Sequence, residues 1–277
     1  MYLSDCHTHT NFSADVPADR AASVDDVCQA AIRRGLSYVA ITDHYESITY
    51  KNPAHEPFPF DDVTRAVLAA REKYAGQLYV ALGIEYGEPY LYPEDILPTC
   101  TAQPYDIILG SVHVIPGKPG YIAYHYNELT EDERVAVFDD YLEAYNTLVH
   151  TEGIDVVTHP TYPLRYLLRQ NIPFSMKHWE ERMRAMLRVL VERGIGLEYN
   201  AAPMRVPNKG IPDHTTETIL RWYRQEGGEI VTFASDAHFP AHVGRHIGFS
   251  MRVLYELGFR DLASYENHRA VFHRIGF

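Results

Sequence analysis

Seven short apolar segments recur along the chain, and stretches with helical periodicity separate them. The segments have the length and the β-branched content of buried strands. They begin at residues 1–3 and continue at 38–42, 78–84, 107–112, 154–158, 196–200 and 230–234. The intervening helices are predicted at 24–32, 63–74, 131–151, 175–193 and 215–226. Strands that alternate with helices pair in parallel, so the pattern predicts an α/β fold.

The length and composition favour one large barrel. The chain has 277 residues, 46% hydrophobic and 22% charged, which is enough apolar material for a sizeable core. No change in composition marks a linker, so residues 1–277 are predicted to form a single domain. Residues 247–277 carry the weakest pattern, and a helix over 250–257 is expected to close the barrel wall.

The net charge argues against one class of partner. With 37 acidic against 25 basic residues, the formal net charge is −12, whereas a surface for a nucleic-acid polymer needs clustered Lys and Arg. A small anionic substrate remains compatible, because bound metal cations set their own local field. No apolar run approaches the roughly 20 residues that span a bilayer. Three widely spaced cysteines without a CxxC pair predict reduced thiols, and a cytoplasmic location is expected.

Polar residues follow nearly every predicted strand at the point where the strand ends. Because the carboxyl ends of parallel barrel strands converge on one face, residues far apart in sequence are expected to meet there. These residues are His7 and His9 after the first strand, His44, Glu85, His113 and His159 after the next four, and Asp236 and His238 after the seventh. Solvated histidines would not favour strand ends so consistently, so the pattern predicts a functional site.

The residue types at these positions indicate a transition-metal site. His7 and His9 are two apart, so both rings leave the same face of an extended backbone, and Asp15 follows beyond a short polar loop. Imidazoles combined with carboxylates suit Zn²⁺, Mn²⁺ or Fe²⁺ better than Mg²⁺, which prefers oxygen ligands. Two such ions about 3.5–4 Å apart generate hydroxide near neutral pH and stabilise both the attacking and the leaving oxygen. The predicted class is a metal-dependent hydrolase.

Six segments resemble the successive motifs of the polymerase and histidinol phosphatase (PHP) superfamily. They are Asp5-Cys6-His7-Thr8-His9, Thr42-Asp43-His44, Gly83-Ile84-Glu85, Gly110-Ser111-Val112-His113, Thr158-His159-Pro160 and Ser235-Asp236-Ala237-His238. The resemblance covers about residues 5–245 in the order of the family. It implies a distorted (β/α)7 TIM-like barrel with up to three divalent metals, and phosphoester hydrolysis by a hydroxide that bridges two of them.

The resemblance also implies which residues bind each metal. The first metal would be bound by His7, His9, Glu85 and Asp236, the second by Glu85 as a bridge with His113 and His159, and the third by Asp15, His44 and His238. Asp15 is the assignment with alternatives, since Ser13 or Asp19 could instead set the conformation of its loop.

Two arginines favour a phosphomonoester as the substrate. Arg165 follows the fifth strand and Arg205 the sixth, and a guanidinium can contact two phosphate oxygens at once. A surface salt bridge is the alternative for either arginine. Together with Thr158-His159-Pro160 and Glu198-Tyr199-Asn200, they resemble the histidinol-phosphate phosphatase branch of the superfamily. That resemblance implies hydrolysis of L-histidinol phosphate to L-histidinol and phosphate.

Other side chains are candidates for catalysis or for substrate contact. Asp236 and His238 are expected to act in catalysis as well as in metal binding, and His242 is a candidate proton donor. Tyrosines in the loops after the third and fourth strands are candidates for a wall that stacks on the leaving-group imidazole, with plain loop packing as the alternative. They are Tyr86, Tyr90, Tyr92, Tyr121, Tyr124 and Tyr126.

Two other functions stay open at this point. The first is another phosphoesterase of the same superfamily, which acts on nucleotides or sugar phosphates. The second is a barrel that binds metal without catalysis. The nearly complete set of ligand residue types favours an enzyme, because a decayed site would have lost several of them.

Overall fold

Eight parallel strands form the central sheet, in a computed structural model that describes residues 2–16, 21–205 and 215–276. In chain order they are β1 (Ser4–Thr8), β2 (Tyr38–Ile41), β3 (His44–Glu46), β4 (Tyr79–Gly87), β5 (Ile107–Ser111), β6 (Val156–Val157), β7 (Gly196–Asn200) and β8 (Val231–Ala234). Seven of these strands follow one another around the sheet in chain order, whereas β3 lies off this path and pairs with the carboxyl half of β4.

The sheet is nearly closed into a barrel where β8 returns to β1. The backbone N–H of His9 donates to the carbonyl oxygen of Ala237 at 2.9 Å, and that of Asp236 donates to the carbonyl oxygen of His7 at 3.0 Å. Thr8 and Ala237 also form a parallel bridge. The predicted distorted (β/α)7 TIM-like barrel is therefore confirmed. This closure brings the opening histidine pair next to the loop that follows the last barrel strand.

Helices surround the barrel and pack their apolar faces on it. In the described part of the chain they are α1 (Val24–Arg33), α2 (Ser47–Tyr50), α3 (Phe60–Lys73), α4 (Pro93–Cys100), α5 (Glu131–Val149), α6 (Leu164–Arg169), α7 (Glu180–Arg193), α8 (Thr215–Gln225) and α9 (Ile247–Glu256). Two of them begin at capping boxes, Ser23 with Asp26 and Thr130 with Glu133. Among these helices, none is both apolar enough and long enough to cross a membrane.

The last part of the chain forms a β-hairpin that the sequence patterns did not predict. After α9, which begins three residues before the expected helix, β9 (Asp261–Glu266) pairs in antiparallel fashion with β10 (Arg269–Arg274). The turn residues Asn267 and His268 both have positive φ angles, 48° and 62°. Without a glycine, this turn lacked the usual hairpin signal.

The hairpin covers the amino end of the barrel. The hydroxyl of Tyr38, at the start of β2, donates to the carbonyl oxygen of Tyr265 at 2.9 Å. The Tyr265 hydroxyl donates in turn to the carbonyl oxygen of Asp155, just before β6, at 3.1 Å. Both tyrosines belong to a buried apolar cluster that also includes Cys6 and Ile107. The amino end is therefore sealed by apolar packing, and the opposite end is left for a site.

Candidate metal centre

The polar residues at the strand ends lie together at the carboxyl end of the barrel, and Glu85 is at their centre. Glu85 is 1% exposed and comes from β4. Its Oε2 atom lies 3.1 Å from Nε2 of His7, 3.6 Å from Nε2 of His9 and 3.0 Å from Nδ1 of His44. Three imidazoles therefore approach one oxygen of this carboxylate: His7 from β1, His9 from just after β1 and His44 from β3.

The second oxygen of Glu85 faces a different pair of imidazoles. Oε1 lies 3.3 Å from Nε2 of His113 and 3.0 Å from Nε2 of His159. The two Nε2 atoms are 3.2 Å from each other. Glu85 thus stands between two groups of nitrogen ligands, which is the placement that a carboxylate bridging two cations requires.

A third group forms at the rim, around Asp15. Its Oδ2 atom lies 2.8 Å from Nε2 of His238 and 3.6 Å from Nε2 of His44, and the side chain is 53% exposed. Asp236 joins this group to the first one, since its Oδ1 lies 3.5 Å from both Nε2 of His9 and Nδ1 of His238. Every residue in the predicted ligand set is therefore in one continuous cluster. Asp19, the alternative at this loop, lies outside the described residues.

Two buried carboxylates that sequence reasoning did not assign hold the first strand in place. Oε2 of Glu198 lies 2.6 Å from Nδ1 of His7, and Asn200 donates to Oε1 of the same carboxylate at 2.8 Å. Asp43 accepts hydrogen bonds from the hydroxyls of Thr10 and Ser13. An acidic residue within the apolar segment 196–200 is the signal that could have identified Glu198. Its depth in the barrel depends on the tertiary fold.

Glu46 is a further residue that the sequence analysis did not assign, and it contacts two imidazoles. Its Oε1 lies 3.1 Å from Nδ1 of His44 and 2.9 Å from Nδ1 of His113. His44 and Glu46 are two apart in β3, so their side chains leave the same face of the strand. Glu88 follows in a left-handed conformation, φ 48°, and its Oε1 accepts the backbone N–H groups of His113 and Val114.

Crowding of opposite charges shifts the pKa values in this cluster. Burial alone would lower the pKa of His7, but the carboxylates of Glu85 and Glu198 outweigh it and raise that pKa well above its usual value. Burial is outweighed in the same way at His44 and His113, whose pKa values are also well raised. Burial would raise the pKa of Glu85, yet the three imidazoles hold it well below its usual range.

His9 and His159 show the opposite behaviour. Burial lowers the pKa of both imidazoles, and repulsion from neighbouring charged imidazoles lowers it further. For Asp236, attraction from the surrounding His residues outweighs burial and places the pKa well below the usual value. Without metal, the cluster therefore combines ionised carboxylates with some protonated and some neutral imidazoles.

A cavity of about 570 Å³ opens over the cluster. Glu85, His113 and His159 form part of its floor. The tyrosines on its wall are Tyr50, Tyr162 and Tyr166. The predicted wall was wrong: the six tyrosines after the third and fourth strands are not among the residues lining this cavity, and several of them are buried in the core. Plain loop packing, the alternative, describes them.

Arg165 also lines the cavity, as the second feature of its wall. Its guanidinium lies over the ring of Tyr162, 4.4 Å from the ring centre, and its Nη1 is 3.8 Å from Oδ2 of Asp236. The backbone of Arg205 ends a short 3₁₀ turn, Ala202–Arg205, but its side chain is outside the described part of the protein. Arg205 as a phosphate ligand stays a prediction.

His242 lies away from the cavity, whereas His55 contributes to its wall. His242 ends a short 3₁₀ turn, and its ring packs edge-on against Phe239 with centres 5.7 Å apart. It is not among the residues that line the cavity, so its role as proton donor stays a prediction without geometric support. His55, which carried no functional assignment, lies on an exposed loop and contributes to the cavity wall.

The residues present fit divalent metal ions. Several groups of ligand atoms lie within 4.8 Å of one another, among them His7 with His9 and Glu85, and His9 with His44 and His238. The Nε2 atoms of His7 and His9 are buried and lack a hydrogen bond of good geometry. A buried polar atom left in this way costs free energy unless a ligand satisfies it. Imidazole and carboxylate together suit Zn²⁺, Mn²⁺ and Fe²⁺.

The chain is similar to known proteins over most of its length. The sequence model of the PHP domain family matches residues 5–202. A protein from Thermotoga maritima named as a probable histidinol-phosphatase is 27% identical over 261 residues, which cover 94% of this chain and 95% of that protein. The DNA polymerase/3'-5' exonuclease PolX of Bacillus subtilis is 24% identical over 237 residues, which cover 84% of this chain but 34% of that protein.

The fold also matches a solved structure over its full length. Histidinol phosphate phosphatase from Lactococcus lactis, crystallised with zinc, L-histidinol and phosphate, superimposes with a TM-score of 0.80. The two chains are 20% identical, and the match covers 97% of this chain and 98% of the other. At that identity the likeness supports the barrel fold, while the family match at 5–202 spans most of the sequence. The chain belongs to the PHP domain family.

Proposed function

We propose that this protein is a metal-dependent phosphomonoesterase that hydrolyses L-histidinol phosphate to L-histidinol and phosphate. The observation that carries the proposal is the position of Glu85, whose two oxygens face separate groups of imidazoles. Relatives named as histidinol-phosphatases that align over nearly the whole chain support the choice of substrate. The Lactococcus lactis structure adds that a barrel of this shape binds zinc, L-histidinol and phosphate.

The proposed ligand set divides among three sites. His7, His9, Glu85 and Asp236 would hold the first ion, Glu85 with His113 and His159 the second, and Asp15 with His44 and His238 the third. When bound, ions in such sites supply an activated water near neutral pH and stabilise negative charge on the phosphoryl group. Which of the three transition metals is used, and how many are bound, belong to this proposal.

The protein's own residues would bind and orient the phosphate group. Arg165 is positioned to donate two hydrogen bonds to peripheral phosphate oxygens, since its guanidinium borders the cavity beside Asp236. The ring of Tyr162 under the guanidinium restricts its motion. Arg205 is proposed to contact the same phosphate from the loop after β7.

The leaving group must gain a proton as the P–O bond breaks. His238 borders the cavity, and its Nε2 lies at the rim beside Asp15. It is better placed for proton donation than His242, which does not line the cavity. His238 is therefore the first candidate for this role only where the third site is empty, because an imidazole whose Nε2 binds a metal has no proton there to donate. Asp236 orients His238 through the contact at 3.5 Å in either case.

The aromatic wall would bind the organic part of the substrate. The rings of Tyr162 and Tyr166 pack edge to face, with their centres 5.7 Å apart. The Tyr166 hydroxyl donates a hydrogen bond to the Tyr162 hydroxyl at 3.1 Å. Tyr50 borders the cavity as well. Aromatic faces of this kind bind a flat imidazole through stacking and apolar contact. A cytoplasmic location, a substrate of low molecular weight and a domain that spans the whole chain complete the proposal.

A substrate panel tests the proposal. Phosphate release is measured for L-histidinol phosphate, a nucleoside monophosphate, a hexose phosphate and p-nitrophenyl phosphate, in the presence of Zn²⁺ or Mn²⁺ and after chelation. We expect the highest kcat/KM with L-histidinol phosphate and loss of activity after chelation. If L-histidinol phosphate reacts no faster than p-nitrophenyl phosphate, the substrate is wrong and the reaction class remains. A protein with less than one equivalent of metal and no activity would be the metal-binding barrel without catalysis.

A further inference from the structure

One carboxylate, that of Glu46, contacts imidazoles that belong to two different proposed metal sites. Its Oε1 lies 3.1 Å from Nδ1 of His44 and 2.9 Å from Nδ1 of His113. Both imidazoles also present a second nitrogen to the cluster. Nε2 of His44 faces Asp15 at 3.6 Å, and Nε2 of His113 lies 3.3 Å from Glu85. Oε1 of Glu46 therefore faces the Nδ1 atoms of both imidazoles, on the side of each ring away from the second nitrogen.

The placement of the two nitrogens decides which one is available to a metal. An imidazole that donates its Nδ1–H to a carboxylate keeps the lone pair on Nε2, because a neutral ring carries one proton. In metal proteins such a carboxylate fixes the ring orientation and increases the basicity of the ligand nitrogen. Nδ1 of His113 forms this hydrogen bond with Glu46 at 2.9 Å, whereas Nδ1 of His44 lies within ion-pair distance of the same oxygen without a hydrogen bond of good geometry. With Glu46 as the acceptor for both rings, the two Nε2 lone pairs would be directed into the cluster.

Glu85 is the competing acceptor for His44. Its Oε2 lies 3.0 Å from Nδ1 of His44, about as close as Oε1 of Glu46. The same Oε2 also faces Nε2 of His7 and of His9, so metal binding would engage it. Glu46 is then the acceptor that remains for Nδ1 of His44.

We propose that Glu46 is a positioning residue, which orients His44 and His113 together and so couples the second and third metal sites. This inference rests on the metal sites of the proposed function. The first site has a separate positioning contact, since Glu198 lies 2.6 Å behind Nδ1 of His7. Loss of Glu46 is expected to weaken two sites at once, whereas loss of Glu198 should mainly weaken the first. Glu198 also accepts a hydrogen bond from the backbone N–H of His159 at 3.2 Å, but not from its ring.

The backbone around Glu46 is built to keep the carboxylate at this position. β3 pairs with β4 so that Glu46 lies opposite Gly87, and the Ser47 hydroxyl donates to the carbonyl oxygen of Gly87 at 2.7 Å. A Cβ atom at position 87 would lie 1.9 Å from Oε2 of Glu46. A side chain at this position would displace the carboxylate from its present place, so the space at 87 and the position of Glu46 are linked.

Metal titration tests the proposal without use of activity. Zn²⁺ binding to the metal-free protein is measured by competition with a chromophoric chelator for the wild type, Glu46→Ala, Glu46→Gln and Glu198→Ala. We expect Glu46→Ala to weaken two equivalents of Zn²⁺ by about 10- to 100-fold and to leave one unchanged. Glu46→Gln keeps one acceptor oxygen, so it should show a smaller loss. Glu198→Ala should weaken mainly one equivalent, that of the first site.

Gly87→Ala tests the same role in a second way, because it retains Glu46 but moves its carboxylate away from the two imidazoles. We expect it to reproduce the loss of two equivalents, and Gly248→Ala is the matched control because an added Cβ there meets nothing within 4 Å. Circular dichroism of each metal-free variant checks that the fold is intact. Full Zn²⁺ affinity in both Glu46→Ala and Gly87→Ala would overturn the positioning role of Glu46 and leave the proposed function intact. A wild type that binds no Zn²⁺ would overturn the proposed function as well.

Discussion

Buried polar groups have different roles at the two ends of the barrel. At the amino end, Oδ1 of Asp106 accepts hydrogen bonds from the Tyr79 hydroxyl and the backbone N–H of Asn267, and its Oδ2 accepts from the backbone N–H of Leu82. Arg71 donates to the same Oδ2. Each oxygen there is satisfied within the protein. At the carboxyl end, by contrast, Nε2 of His7, Nε2 of His9 and Nδ1 of His44 are buried without a hydrogen bond of good geometry.

The difference shows how one barrel divides stability from function. Hydrogen-bonded carboxylates at the amino end tie the hairpin β9–β10 to the loops before β5 and β6. Clustered nitrogens at the carboxyl end raise the free energy of the metal-free fold until a cation satisfies them. Substitutions at the first end should therefore affect folding, and those at the second should affect metal binding and catalysis.

The largest expected effect is at the centre of the carboxyl end. Glu85→Gln removes the negative charge that five imidazoles face, so it should lower kcat/KM for L-histidinol phosphate by roughly 10⁴-fold or more, the scale seen when one member of a catalytic unit is lost. Steady-state phosphate release at saturating Zn²⁺ measures the effect, with Glu143→Gln, 78% exposed, as the control. Activity within tenfold of the wild type would contradict the bridging role.

A comparable energetic effect, without loss of chemistry, is expected at the amino end. Tyr38 is fully buried and donates to the hairpin. Tyr38→Ala should lower the free energy of unfolding by about 3–5 kcal/mol, because it leaves a cavity and removes this hydrogen bond. Urea unfolding measures the loss, and Phe249→Ala, at an exposed position, is the control. A folded Tyr38→Ala protein with a much lower kcat than the wild type would contradict the division of stability and catalysis between the two ends.

The pH dependence of metal binding sharpens the comparison within the carboxyl end. The raised pKa values of His7, His44 and His113 keep these imidazoles protonated above pH 6.5, the usual pKa of a histidine, so a metal ion must displace their protons. Zn²⁺ affinity should therefore rise with pH from about 6.5 to 8, by up to about tenfold per pH unit for each proton displaced. Calorimetry in two buffers of different ionisation enthalpy counts these protons. An affinity independent of pH would contradict the shifts.

The smallest effect is expected at the hairpin turn. His268 is 43% exposed, and its Nδ1 lies 2.9 Å from Oδ2 of Asp155, a contact that raises its pKa. The stabilisation is full below pH 6.5 and is lost as the pH rises through the raised pKa. His268→Ala should lower the free energy of unfolding by less than about 1 kcal/mol at pH 6 and by less at pH 8.5. His125→Ala, at an exposed position, controls for loss of a surface imidazole; equal losses at both pH values would contradict the ion pair.

The strand-end residues were predictable because their convergence depends on topology alone. Once strands and helices alternate, every strand delivers its carboxyl end to one face. His7, Glu85 and His159 needed no knowledge of side-chain packing to be brought together. The resemblance to the PHP superfamily then supplied their division among metals, which no spacing in the sequence contains.

The supporting residues were not predictable for physical reasons that differ from one to the next. β3 has three residues and exists because it pairs with the extended end of β4, so Glu46 could not be placed from local pattern. Glu198 lies inside a buried strand, and which face it presents depends on barrel geometry. Tyr162 reaches the cavity through the turn before α6, a short helix of six residues without a clear sequence signal.

Closure between β1 and β8 has a consequence for synthesis of the chain. The carboxylate of Asp5 accepts hydrogen bonds from the backbone N–H groups of Ser235 and Gly244, at 2.9 Å and 2.8 Å. A ribosome must therefore add more than 200 residues before the first strand meets its last neighbour. The opening histidine pair should reach its final position only after translation is almost complete, and contacts of this sequence separation predict slow folding.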